Sequence, residues 1–181
     1  MKKREGMVKT ETSLPEVRKA LGRAKSLCAR LRAVTLEDAE YRPLVTELVP
    51  NLPASSVIMP PFQCDYGSNI FVGEHVFVNV CCTFLDGAAI RIGDNTLIGP
   101  GCQIYTPHHP LDFFERREPW EYSVPVTIGS DCWIGGNVTV CPGVTIGDCC
   151  VVAAGSVVTR SFPTGVLIAG NPAVVKRKLV E

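Results

Sequence analysis

From Ile128, every sixth position is aliphatic: Ile134, Val140, Ile146, Val152 and Val158 follow in turn. Upstream, Ile92, Ile98 and Ile104 share the step. So do Val72, Val78, Phe84 and Ile90, with a slip of two residues before Ile92. Four positions after each aliphatic residue a small one recurs, including Val76, Cys82, Ala88, Thr96, Cys102, Cys132, Val138, Val144, Cys150 and Ser156. A short strand and a turn together take about six residues, and three such sides close a triangular coil whose aliphatic positions stack along the axis. The pattern therefore predicts an all-β chain, a parallel β-helix over residues 54–181. Gly often follows the aliphatic position, at Gly73, Gly93, Gly99, Gly129, Gly135 and Gly147. It is expected to serve the turn by adopting torsions that other residues avoid.

Residues 1–53 carry a different period. Leu14, Val17, Leu21, Ala24, Leu27, Cys28 and Leu31 recur at helical spacing from residue 13, and Ser13-Leu14-Pro15-Glu16 reads as a capping box. Thr35-Leu36-Glu37-Asp38 reads as a second helix start, delayed or kinked by Pro43 and stopped by Pro50-Asn51-Leu52-Pro53. This segment is expected to be a helical hairpin packed on the main body. Between Thr106 and Pro125 no hexad can be written. That stretch holds His108, His109, Phe113, Phe114, Trp120 and Tyr122, and it predicts a loop (106–125) extruded from one corner. Long loops on regular scaffolds are where function concentrates.

Composition narrows the field. The chain has 181 residues, with 18 Lys plus Arg against 18 Asp plus Glu, so a dedicated nucleic-acid partner is not expected. The uncharged stretch 132–147 is broken by Gly135, Gly136, Pro142 and Gly143, and the basic start MKKREG precedes no apolar run. No membrane segment or leader is read, which predicts a cytoplasmic protein. Nine cysteines, none spaced C-x-x-C, suit a reducing compartment. Four of them occupy the small-residue position and are expected to fill the wall.

Several runs resemble those of a known family. The Ile-Gly hexads resemble the hexapeptide-repeat acyltransferases. Asp65-Tyr66-Gly67-Ser68-Asn69-Ile70, Asn79, the run Ile104 to Asp112 through His109-Pro110, Trp133-Ile134-Gly135-Gly136 and Gly170-Asn171-Pro172-Ala173 resemble more narrowly its maltose, galactoside and nodulation sugar O-acetyltransferase branch. The resemblance implies a left-handed parallel β-helix in a homotrimer, with active sites between subunits. It implies acetyl transfer from acetyl-CoA to a hydroxyl of a sugar or similar small acceptor, with no metal.

Such a transfer needs a base for the hydroxyl proton, and histidine suits it. His75 falls at a repeat turn. His108 and His109 both open the loop and pattern does not choose between them; the resemblance picks His109. It also assigns Asn79, Asp65 and Asp86 to the acceptor side, with Glu11 the nearest match to an N-terminal acid. Phe77 and Gly87 stand where some relatives carry an acceptor-contacting Tyr and Asp. For the coenzyme it implies Trp133, the amides near Gly135 and Gly136, Ala154, Thr159, Arg160, and Arg177 in the basic tail. Most of these have a plainer role too: Asp65 as a turn cap, Trp133 as packing, Arg177 as a solvated end. Competing readings are a xenobiotic or serine acetyltransferase, a zinc hydratase on the same scaffold, and a non-catalytic β-helix assembly module. The hydratase needs three ligand histidines, and two of the three here are adjacent.

Overall fold

The computed structural model describes residues 6–179. Chain order begins β1 (Val8–Glu11), α1 (Pro15–Leu31), α2 (Tyr41–Leu48). Short strands follow: β2 (Val57–Ile58), β3 (Phe62–Cys64), β4 (Ile70–Val72), β5 (Phe77–Val78), β6 (Cys82–Leu85), β7 (Ile90–Ile92), β8 (Leu97–Ile98) and β9 (Gln103–Tyr105). The extruded segment holds β10 (Pro107–His108), a 3-10 turn at Glu115–Arg117 and β11 (Trp120–Ser123). The solenoid resumes with β12 (Val126–Ile128), β13 (Trp133–Ile134), β14 (Thr139–Val140), β15 (Thr145–Ile146), β16 (Val151–Val152), β17 (Val157–Val158), β18 (Val166–Gly170) and β19 (Ala173–Lys178).

These strands stack into three parallel faces. Face one is β4-β7-β12-β15, face two runs from β2 through β5, β8, β13 and β16 to β18, and face three is β3-β6-β9-β14-β17. β19 folds back antiparallel on β18 and closes the last coil. Register pairs the expected positions, as Ile92↔Ile128↔Ile146, Ile98↔Ile134↔Val152 and Ile104↔Val140↔Val158. All are buried, as are the small residues four places on, so one apolar column runs the length of the prism.

The hexad glycines do a different job from the one expected. Gly73, Gly93, Gly99, Gly129, Gly135 and Gly147 are not the left-handed residues. Those lie two places later, at His75, Asn95, Gly101, Asp131, Asn137 and Cys149. At Gly93 a Cβ would stand 2.5 Å from Ser130 N and 2.6 Å from Gly129 C of the next coil. These glycines admit the neighbouring coil's backbone rather than an unusual torsion.

The two-residue slip has a structural cause. Eight residues separate Cys64 from Val72 and Phe84 from Ile92, whereas six separate Val140 from Ile146. The corner between faces three and one is therefore wider in the first two coils. There Ile70 with Val72, and Ile90 with Ile92, both point inward from a three-residue strand. The extruded loop leaves from this same corner of the next coil, between Ile104 and Ile128.

The helices cap the open lower end. Tyr41 donates its hydroxyl to Ile58 O at 2.9 Å, and Arg42 donates to Ser56 O and Leu52 O. Leu27, Cys28 and Leu31 of α1 are buried, while Leu14, earlier on the same stripe, is exposed. The expected capping box does not form. Leu14 is the N-cap without a side-chain bond, and the Ser13 hydroxyl donates instead to Glu11 Oε1 at 2.7 Å. Asp38 accepts from both the amide and hydroxyl of Thr35, making a turn that precedes α2, so Pro43 falls in its first turn. Residues 8–11, inside the segment expected to be helical, form a strand. Among the described residues no helix is long and apolar enough to cross a membrane.

Candidate active site

The candidate residues gather at two corners of the prism. The first lies between faces two and three, where turns after β5, β8, β13 and β16 stack. They border a groove of about 540 Å³ whose lining includes Asn79, Trp133, Gly135, Gly136, Ala154 and Leu167. Trp133 is 58% exposed there. Gly135 has no room for a side chain, since a Cβ would meet Ala154 N at 2.6 Å. The Asn79 Oδ1 accepts from Val80 N at 2.8 Å, which fixes its side chain at the groove edge. Arg177 pairs across β18–β19 with the groove residue Leu167. The sequence-predicted coenzyme residues Trp133, Gly135, Gly136 and Ala154 thus come together, with Arg177 alongside. Thr159 and Arg160 do not join them; they are exposed on the turn after β17, where Arg160 lies over the Phe162 ring.

The second is the widened corner between faces three and one. Here Asp65, Asp86 and the loop stack from successive coils. The loop is no irregular excursion: β1, β11 and β10 form a small antiparallel sheet, with Lys9↔Tyr122, Thr10↔Glu121 and His108↔Tyr122 opposed. Directly opposed residues share a face and alternate along each strand. Lys9, Glu11, Trp120, Tyr122 and His108 therefore lie on one side; Glu121 and Ser123 lie on the other. On the first side the Lys9 ammonium sits 3.9 Å from the Trp120 centroid, and His108 stacks on Tyr122 at 6.0 Å. That stacking gives His108 a structural task. Glu11, held by Ser13, is on the same side. His109 follows β10, exposed, next to the buried Pro110.

Glu121 is the residue that sequence reasoning missed. It is half-buried, and burial pushes its carboxyl up, while His109 first and then His108 pull it down. An acid is thereby placed within electrostatic reach of the candidate base. Its Oε1 lies 3.4 Å from where a Gly87 Cβ would stand, and the Ser123 hydroxyl takes most of that space. Gly87 is what allows β11 to seat. The one available signal was the alternation Trp120-Glu121-Tyr122-Ser123, a strand pattern inside a segment read as loop.

Asp65 is half-buried too, and its carboxyl is raised to about 6. Burial is the main cause; Asp86 and Glu121 add to it, and Lys25 of α1 opposes it. Asp86 corrects an expectation. It is fully buried, with Oδ1 accepting from the amides of Asp65 and Tyr66 and Oδ2 from Asn69. It is spent on the backbone and does not present a carboxylate to an acceptor. His75, exposed at a left-handed turn, belongs to neither corner.

This architecture is shared with known proteins. Residues 125–160 match the bacterial transferase hexapeptide (six repeats) family. A putative acetyltransferase of Staphylococcus aureus is 46% identical over 158 residues, 87% of this chain and 79% of the relative. The chain belongs to the hexapeptide-repeat acetyltransferases. A crystal structure of a hexapeptide-repeat acetyltransferase of Vibrio cholerae complexed with acetyl-CoA is 40% identical with a TM-score of 0.88, covering 94% of this chain and 92% of that one. A maltose O-acetyltransferase of Clostridium difficile is 37% identical with a TM-score of 0.91, covering 96% and 93%. The solenoid of this acetyltransferase family member is the left-handed parallel β-helix.

Proposed function

We propose that the protein transfers acetyl from acetyl-CoA to a hydroxyl of a sugar or similar small acceptor, as a homotrimer with active sites between subunits. The observation that carries this reading is the division of the site residues between two different corners of one prism. The groove with Asn79, Trp133, Gly135 and Gly136 is at one, and His109, Glu121 and Asp65 are at another. A second copy packed against the first brings the complementary corner to each groove, and a closed ring satisfies every copy alike. The outer side of face two suits such packing: Phe77, Leu97, Trp133, Val151 and Leu167 stand in register, with Leu97 49% exposed. An exposed apolar ladder of this kind marks an interaction surface.

The proposed chemistry is direct transfer. His109 accepts the proton of the acceptor hydroxyl as its oxygen attacks the thioester carbonyl carbon, with the Glu121 carboxylate favouring the imidazolium. The tetrahedral intermediate collapses, the carbon–sulfur bond breaks, and the imidazolium returns the proton to the departing coenzyme A sulfur. In this reading a backbone amide of the groove beside Gly136 donates to the thioester oxygen; the Gly135 amide is already bonded to Val152 O. Basic Arg177 and its neighbours suit the coenzyme phosphates.

The test is coenzyme A release from acetyl-CoA against maltose, glucosides, galactosides, amino sugars, serine and chloramphenicol, with His109→Ala alongside. Release that depends on a sugar and is lost in the variant supports the reading. Release with serine or chloramphenicol alone moves the protein to another branch. Acetyl-CoA binding without any release leaves the acceptor to be found. Neither binding nor release favours the assembly module.

A further inference from the structure

Asp86 is an acidic side chain with no exposure, placed between the Asp65–Asn69 corner and the neck of the extruded loop. Below it, its carboxylate gathers three amides of the widened first-coil corner: Asp65 N at 3.1 Å, Tyr66 N at 2.8 Å and Asn69 N at 3.2 Å. Its carbonyl accepts from Asn69 Nδ2 at 2.7 Å, so the corner is held from both ends. Above it, the turn bearing Asp86 is tied to the neck of the loop. Ala88 N donates to Thr106 Oγ1 at 2.9 Å, and Thr106 donates its amide and hydroxyl to Leu85 O. The neck is closed by Val124 N donating to Thr106 O at 2.8 Å.

We infer that Asp86 is a positioning residue for acetyl transfer: it fixes the Asp65–Asn69 corner against the loop that carries His109 and Glu121, and so sets where the Asp65 side chain stands. The inference rests on the acetyl-transfer reading above. Burial raises the Asp86 carboxyl while the amides of Tyr66 and Asn69 oppose the rise. The charged groups around the corner are Asp86 from the β6–β7 turn, Glu121 from β11 and Lys25 from α1, with Tyr66 on the corner itself. The Cys28 and Cys64 thiols lie nearby, 3.9 Å apart, and both feel the Asp86 charge. Asp86 and Glu121 are both negative, and both hold the Asp65 proton to higher pH than burial alone would. Neutralising Asp86 therefore moves Asp65 ionisation to lower pH.

The experiment follows two quantities in wild type, Asp86→Asn, Asp86→Glu and Asp65→Asn. One is the carboxyl carbon resonance of Asp65 against pH, identified by its loss in Asp65→Asn. The other is the pH dependence of kcat and of KM for the sugar turned over fastest in the panel above. Wild type is expected to show the Asp65 midpoint near 6, with acceptor KM changing across it. Asp86→Asn shifts the midpoint down and raises acceptor KM about tenfold or more, the scale of a lost hydrogen bond to a charge. Asp86→Glu keeps the charge, so the midpoint stays high while KM rises. An Asp86→Asn protein that folds and keeps the wild-type acceptor KM overturns the inference, and Asp86→Glu, which keeps the charge but moves the carboxylate, decides it if Asp86→Asn does not fold. An Asp86→Asn midpoint equal to wild type also overturns it, as does a loss spread evenly over kcat and KM at every pH. If no sugar is turned over, the sugar reading loses its support, and the resonance still decides the Asp86–Asp65 linkage.

Discussion

Alanine at Gly93 puts a methyl group where two coils touch. Its Cβ would lie 2.5 Å from Ser130 N, 2.6 Å from Gly129 C and 2.6 Å from Ser130 Oγ. Two of those atoms are backbone, fixed by parallel pairing of β7 with β12, so the strain cannot be relieved by a rotamer change. Overpacking of this kind costs about 1–3 kcal/mol. For a chain of this size that lowers Tm by roughly 2–4 °C per kcal/mol. Two other glycines separate the effect from loss of glycine as such. Gly155 has φ +70° and nothing within 4 Å of where a Cβ would stand, so Gly155→Ala suffers only its torsion, about 1 kcal/mol. Gly22 is exposed in the middle of α1 with open space around it, so Gly22→Ala stabilises by about 0.5–1 kcal/mol. Thermal and urea unfolding followed by circular dichroism should rank them Gly22→Ala above wild type, then Gly155→Ala, then Gly93→Ala. A Gly93→Ala protein that melts with wild type would refute close stacking as the reason for the hexad glycine.

Other outcomes are specific enough to measure. His109→Ala should lower kcat by about 10²–10⁴ with acetyl-CoA binding by calorimetry unchanged. Glu121→Gln should reduce kcat while leaving acetyl-CoA KM in place, because it faces the His109 imidazole and Asp65 and not the groove at Trp133. Trp133→Ala should raise KM for acetyl-CoA by about tenfold, the worth of an aromatic contact, and circular dichroism should show the fold intact. Asp65 titrates in the folded protein near 6, above its ordinary 3.8, so its neutral form favours the fold. That contribution is whole below pH 3.8 and is lost as pH rises through 6. Urea unfolding of Asp65→Asn should accordingly lose less stability than wild type between pH 4 and pH 7.

The column of Ile and Val was legible because a buried position repeated every six residues leaves little choice of residue. The residues that border the groove were named from the family resemblance, Trp133, Gly135 and Ala154 for the coenzyme and Asn79 for the acceptor; the repeat explains only why they stack at one corner. The other corner was not legible. Asp86 reads as one more acid beside a turn until the three amides pointing at it are seen. Glu121 lies outside the hexads, and its strand pairs with residues more than a hundred positions earlier, so no local period announces it. The capping box failed because Glu11, two residues back, competes for the Ser13 hydroxyl.

The corner between faces three and one spans six residues at Val140–Ile146, eight at Phe84–Ile92 and twenty-four at Ile104–Ile128. The strands on either side remain in step across all three. Length at that corner is therefore a free variable: the prism transmits none of it to the coils above or below. Insertions and deletions accepted there would remodel the corner of Asp65, Glu121 and His109 without touching the groove of Trp133 and Gly135. One half of the proposed active site can then change over evolutionary time while the other is held constant by the pitch of the solenoid.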